Sequence, residues 1–353
     1  MRFSECKDSH ACPVKIDYYG NNKKCWLKLV LPGAGLAFLI WSFVCVIPEP
    51  VDAVPPTQNT ADANKPEVKK AEEPNSIIVE GAQLKLISDK FSFTEGPAID
   101  KDGNIYFTDQ PNNKIYKWSA EDDSISVFLD KAGRANGLFF DKEGNLYACA
   151  DEHNQLWMID KDGKVTVLVK DYEGKLLNGP NDLWISPITG AIYFSDPMFA
   201  RNYWERSRQI QQEAGQQVYY LSPDRKTVKR ITEDLQQPNG IIGTPDGKTL
   251  YIADMRANQT FSYKINEDGS ILDKKLFCRM GSDGMTIDNR GDIYLCGQGG
   301  VTVFNSAGQQ IQRINVGRGW TANICFGGKD RKTLFITSGT SVYTLEMNVK
   351  GVQ

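Results

Sequence analysis

The amino-acid sequence predicts an all-β fold: a six-bladed β-propeller, preceded by an N-terminal hydrophobic helix and a disordered linker. Three observations carry this expectation. One turn-strand-turn-strand pattern recurs six times at nearly even spacing. Its strands are short and rich in β-branched and aromatic residues. No long amphipathic helix interrupts the series.

The chain divides before the repeats begin. Residues 1–28 are polar and carry Arg2, Lys7, Lys15, Lys23, Lys24 and Lys28. Residues 29–47 are nearly uncharged. As a helix they span roughly 28 Å, close to the hydrocarbon thickness of a bilayer. Lysines before the segment, with Glu49 and Asp52 after it, favour a cytoplasmic N-terminus. The segment reads as a signal anchor that stays in place or as an export signal with a long basic lead. Either reading leaves the body membrane-anchored or exported, on the extracytoplasmic (periplasmic) side. Residues 48–76 mix Pro48, Pro50, Pro55, Pro56, Pro66 and Pro74 with charged and small polar residues. No apolar periodicity survives there, so the stretch reads as a disordered linker. The propeller is expected over 77–353.

The repeats begin at Asp100, Asp141, Ser186, Thr244, Asp288 and Gly328, at intervals of 41, 45, 58, 44 and 40 residues. Such a period with paired strands suits blades of four short strands. Runs such as Ile105-Tyr-Phe-Thr and Leu250-Tyr-Ile-Ala are too apolar to stand alone, so neighbouring blades must cover them. Asp102-Gly103, Glu143-Gly144 and Asp246-Gly247 supply the positive-φ positions that hairpins need. The long third interval holds residues 198–217, charged and Gln-rich, with Tyr203 and Trp204. This excursion is expected over one face of the disc, as a passive insertion or as a lid.

A short polar motif precedes each of the first five repeats: Thr94-Glu95-Gly96, Ala135-Asn136-Gly137, Asn178-Gly-Pro-Asn181-Asp182, Pro238-Asn239-Gly240 and Ser282-Asp283-Gly284. In a propeller the strand after such a motif lines the central channel, so a polar residue at its start points toward the axis. Glu95, Asn181, Asn239 and Asp283 then offer two anionic and two neutral oxygen ligands, a set that suits Ca²⁺. Another divalent cation such as Zn²⁺, Mg²⁺ or Mn²⁺ could take the same place. No His or Cys recurs at these positions, which argues against a soft-metal site. Asn-Gly and Asp-Gly are also turn formers, the competing explanation for any single motif.

Other chemistries find little support. The formal charge of −3 gives no basic footprint for nucleic acid. Only His10 and His153 exist, and neither a G-x-S-x-G nor an HExxH motif is present. His153 follows a strand of the second repeat and reads as a turn histidine or as a substrate contact on the rim. Cys149, Cys278, Cys296 and Cys325 lie in the body without metal-site spacing; they are expected as buried thiols, with a disulfide open if the body lies outside the cytosol.

The stretches FTEGPAIDKDGNIYFTD, GRANGLFFDKEGNLYAC, LLNGPNDLWISPITGAIYFSDP, QQPNGIIGTPDGKTLYIAD, SDGMTIDNRGDIYL and ANICFGGKDRKTLFITSG occur in that order. From about Leu84 to Met347 the chain resembles the gluconolactonase family, also called the senescence marker protein or regucalcin family. The resemblance implies a six-bladed propeller with one divalent metal on its axis, held by Glu95, Asn181, Asn239 and Asp283. Asn178 to Asp182 is similar to the bacterial gluconolactonase form; the animal regucalcin form has an arginine where this chain has Gly179. The implied activity is a carboxylic ester hydrolysis that opens a sugar lactone by Lewis-acid activation of its carbonyl. Asp283 is the expected general base or nucleophile, and Asn136 and Asn178 are candidates for substrate hydroxyls. The rival expectations are a phosphotriesterase or other esterase at the same site, and a non-enzymatic propeller that binds or scaffolds.

Overall fold

Each repeat becomes a sheet because its turns are built to reverse the chain. In the first, the Asp100 carboxylate accepts the backbone N–H groups of Asp102 and Asn104, each at 2.9 Å. Gly103 closes the turn at φ 89°. Gly144 and Gly247 also have positive φ, as the sequence predicts. The structure is a computed structural model and describes residues 76–204 and 215–353. The basic tail, the hydrophobic segment at 29–47 and nearly all of the linker lie outside the described residues, as do 205–214 of the excursion. Among the described residues no helix is long and apolar enough to cross a membrane.

Four sheets have four antiparallel strands each. The first contains Thr94–Ile99, Ile105–Asp109, Lys114–Trp118 and Ile125–Asp130. The second runs from Ala135–Phe140 to Val165–Val169, the third from Leu183–Ile185 to Val228–Arg230, and the fourth from Pro238–Gly243 to Ile271–Cys278. The first strands of successive sheets touch one another in sequence order, and Thr94–Ile99 meets the last sheet, so the sheets close an all-β propeller.

The described residues give five sheets rather than the six that the repeat count predicts. One 18-residue strand, Gln310–Gly327, is the cause. Its first part pairs with Ile293–Phe304 and its second part with Thr333–Ser338. The fifth and sixth repeats are therefore bonded into one six-stranded sheet, completed when Lys85–Ser88 pairs with Ser341–Glu346. The Val316-Gly-Arg-Gly stretch that looks like punctuation is a bulge instead. Opposite it, the partner of Gln298 is Trp320 and that of Gly300 is Asn315.

The core lies between sheets. Trp184, Tyr251, Ile252, Met285 and Leu295 pack into one cluster drawn from three sheets. Phe107 and Phe335, both fully buried, join the first sheet to the fifth with ring centroids 5.5 Å apart. Each such side chain contributes about 1.5–3 kcal/mol by leaving water. Closure also uses polar bonds: Thr94 Oγ1 donates to the Ser341 carbonyl at 2.9 Å. Cys149, Cys278, Cys296 and Cys325 are buried free thiols, as expected.

A candidate metal and active site at the hub

The polar motifs arrive at one end of the channel by repeat phase. Glu95, Asn136, Asn181, Asn239 and Asp283 each stand five residues ahead of a repeat start, and so does Asn323 in the sixth repeat. All six are buried. The glycine that follows four of them serves close packing. A Cβ at Gly240 would lie 2.2 Å from the Asp283 carbonyl oxygen, and one at Gly284 would lie 1.9 Å from the Asn323 side chain. Gly137, Gly240 and Gly284 do not have positive φ, so the turn-former explanation fails at these motifs. Their N–H groups instead donate to the next strand entry: Gly137 to Asn181 O and Gly284 to Ala322 O, both at 2.7 Å. Carboxylates on the second strands fix the approach. Asp109, Asp196 and Asp254 each accept two backbone N–H groups from residues just ahead of an inner strand.

Two of the expected ligands are in direct contact. Asn239 Nδ2 donates to Asp283 Oδ1 at 2.7 Å, and Trp320 Nε1 donates to Asp283 Oδ2 at 2.5 Å. Glu95 Oε2 accepts from Gly96 N–H at 3.1 Å and from Asn323 Nδ2 at 3.5 Å. Burial pushes the Glu95 carboxyl well above the usual range, and the Asp283 charge pushes it further. Asp283 is also raised by burial, against the pull of Trp320, Arg201 and Asn239. Asp182, one residue past Asn181, is a third buried carboxyl; burial raises it, and Asp283 adds to the effect. The charges of Glu95, Asp182 and Asp283 thus bear on one another, with Arg201 the cation that offsets Glu95 and Asp283.

The remaining donor atoms fit a hard cation. Asn239 Oδ1 is buried and accepts no hydrogen bond among the described residues. With its amide nitrogen already committed to Asp283, that oxygen keeps its lone pairs unused. Neither polar atom of the buried Asn136 carboxamide has a hydrogen-bond partner among the described residues. No three His, Cys, Asp or Glu side chains among the described residues are grouped as a metal cluster. The set here mixes carboxylates with carboxamides, a calcium-like rather than zinc-like choice.

The other sequence candidates have different surroundings. Asn181 is buried, with its carbonyl taken by Gly137. Asn178 Nδ2 donates to the carbonyls of Asp196 and Gly215, both at 3.1 Å, so it pins the two feet of the excursion. His153 is exposed on the 3₁₀ turn Asp151–His153, its ring stacked on Trp157 at 5.2 Å. Sequence reasoning missed Asp182, Asn323, Trp320 and Arg201. Only Asn323 carried a phase signal, and it lacks the following glycine that marks four of the other motifs.

A cavity of about 30 Å³ lies under the ring, lined by Asp182, Asn323, Leu138, Ile241 and Met285 among others, with room for a water. The larger cavity, about 810 Å³, lies at the far ends of the inner strands, among turns such as Lys142–Gly144 and Pro187–Gly190.

Fold and site together define a β-propeller with an oxygen-rich site at the mouth of its channel. The family model described as the SMP-30/Gluconolactonase/LRE-like region matches residues 93–340. The chain belongs to that family. It is 28% identical over 306 residues to the gluconolactonase of Zymomonas mobilis, covering 78% of this chain and 85% of that protein. It is 25% identical over 275 residues to Xenopus laevis regucalcin, covering 72% of this chain and 85% of the relative. The solved structure of a Xanthomonas campestris gluconolactonase superposes with a TM-score of 0.71 at 29% identity, covering 77% of this chain and 91% of that one.

Proposed function

We propose that this chain is a divalent-cation-dependent lactonase that opens a sugar lactone, and that its propeller works outside the cytosol, tethered or exported through residues 29–47. The observation that carries the chemistry is Asn239 Oδ1, buried and unpartnered beside the Asp283 carboxylate. Glu95, Asn181, Asn239 and Asp283 would hold the ion, Ca²⁺ by donor type. Bound there, the cation supplies Lewis-acid polarisation of the ester carbonyl.

The chain's own groups do the rest. Asp283 acts as general base and takes the proton of the attacking water at a carboxylate oxygen, oriented by Asn239 and Trp320. The acyl C–O bond of the ring then breaks, the proton held by Asp283 passes to the leaving ring oxygen, and a hydroxy acid is released. The Asn136 carboxamide, with donor and acceptor both unspent, takes a sugar hydroxyl. The relatives named gluconolactonase support this substrate class. The test is hydrolysis of D-glucono-1,5-lactone by the full-length chain, with Ca²⁺ or with EDTA, beside a phosphotriester. Calcium-dependent lactone opening that disappears in Asp283→Ala is expected. Metal-independent turnover, or turnover of the phosphotriester alone, overturns the proposal.

A further inference from the structure

Residues 198–204, the described start of the excursion after Asp196, are tied down on several sides. Gln237 Nε2 donates to the Met198 carbonyl at 3.1 Å, and Met198 N–H donates to Gln216 Oε1 at 2.7 Å. Tyr203 donates its hydroxyl to Gln110, just past the strand Ile105–Asp109, and the Trp204 ring lies 5.4 Å from the Arg134 guanidinium. Arg201 sits between these ties. Its side chain is 13% exposed and packs on the Phe199 ring at 4.9 Å. The Asp151 carboxylate, itself 3% exposed and bonded to Gln110, stands 3.5 Å from Arg201 Nε. That is an ion-pair distance, and Nε is buried without a hydrogen bond to any described residue. Arg201 also lies close enough to Glu95 and Asp283 for its charge to favour the ionised form of both.

We infer that Arg201 is a substrate-binding residue: its guanidinium, anchored by Asp151, donates hydrogen bonds to oxygens of a polyhydroxylated lactone and of the aldonate formed from it. The inference rests on the lactonase reading. A planar group with five N–H donors is held by Asp151 within charge range of Glu95 and Asp283, and its buried Nε makes no hydrogen bond to any described residue. The competing role is plain charge compensation of the carboxylates. In that role Arg201 competes with the divalent cation and has no effect on the sugar.

The experiment uses the full-length chain and the variants Arg201→Met, Arg201→Lys and Asp151→Asn. It reads kcat and KM for D-glucono-1,5-lactone, with D-gluconate and Ca²⁺ binding by calorimetry. Arg201→Met is expected to raise KM and weaken D-gluconate binding about tenfold or more, the worth of a charged hydrogen bond, with a smaller change in kcat. Arg201→Lys recovers part of the loss, and Asp151→Asn gives an intermediate KM. Unchanged KM and D-gluconate affinity in Arg201→Met, with tighter Ca²⁺ binding, overturns the inference and leaves the lactonase reading standing. A wild-type chain inactive on lactones overturns both.

Discussion

Replacing Asp283 with asparagine keeps the shape of the side chain and removes one of the repelling charges at the hub. In EDTA at mildly alkaline pH, Glu95 and Asp283 face each other with little compensation beyond Arg201. Two unit charges about 4 Å apart repel by about 4 kcal/mol at an effective dielectric near 20, an upper bound for Glu95 and Asp283 because burial favours the protonated form of both. Against this relief stand two hydrogen bonds, from Asn239 and Trp320, which weaken by about 1 kcal/mol each when their acceptor loses its charge. Asn239 can turn its unpartnered Oδ1 toward the new amide, which limits that loss. The net gain is at most about 2 kcal/mol, a rise in Tm of up to about 4–8 °C for a domain of this size. Scanning calorimetry of wild type and Asp283→Asn in EDTA measures it, with calcium titration and lactone hydrolysis alongside. The variant should melt higher, bind Ca²⁺ far more weakly and lose turnover. A lower Tm in EDTA combined with intact calcium binding refutes the electrostatic account of the site.

The pH dependence has a definite sign. Glu95 and Asp182 have folded-state pKa values raised by burial, so the folded protein holds their protons more tightly than the unfolded chain does. Their stabilising contribution is complete below the unfolded carboxyl range and fades as pH rises; Tm in EDTA should therefore fall from mildly acidic to mildly alkaline pH, and Ca²⁺ should restore more stability at the alkaline end. Gly284→Ala forces a Cβ to 1.9 Å from the buried Asn323 side chain. Overpacking of this kind is expected to destabilise by about 1–3 kcal/mol, read as a lower denaturant midpoint and weaker calcium binding. Trp320→Phe deletes the indole donor to Asp283; kcat should fall about tenfold, the worth of one charge-assisted bond, while far-UV circular dichroism stays unchanged.

Much of the hub was legible because it repeats. Glu95, Asn181, Asn239 and Asp283 share a phase with their turns, and phase survives even when residue type varies. The paired charges and the Asn239 contact follow from that placement. What escaped was whatever sits outside the repeat. Arg201 belongs to an excursion with no counterpart in the other intervals, and Trp320 reaches Asp283 only through a bulge. The sheet count went astray at the same bulge. Val316-Gly317-Arg318-Gly319 carries the composition of a turn, yet Gly317 at φ 128° absorbs the slip in register and the strand runs on. Asn178 is polar and stands at the motif, and its amide nitrogen is committed to holding the feet of the excursion.

The joining of Lys85–Ser88 to Ser341–Glu346 bears on how the protein is made. Synthesis runs from the N-terminus, so the first strand of the body emerges long before its partner exists. Each four-stranded unit can form as it leaves the ribosome, since its contacts are local, but the last six-stranded one waits for the final turns of the chain. Until then the apolar flank of the opening unit, Phe107 included, has no Phe335 to cover it. A stop codon shortly before Ser341 would leave a ring that cannot shut.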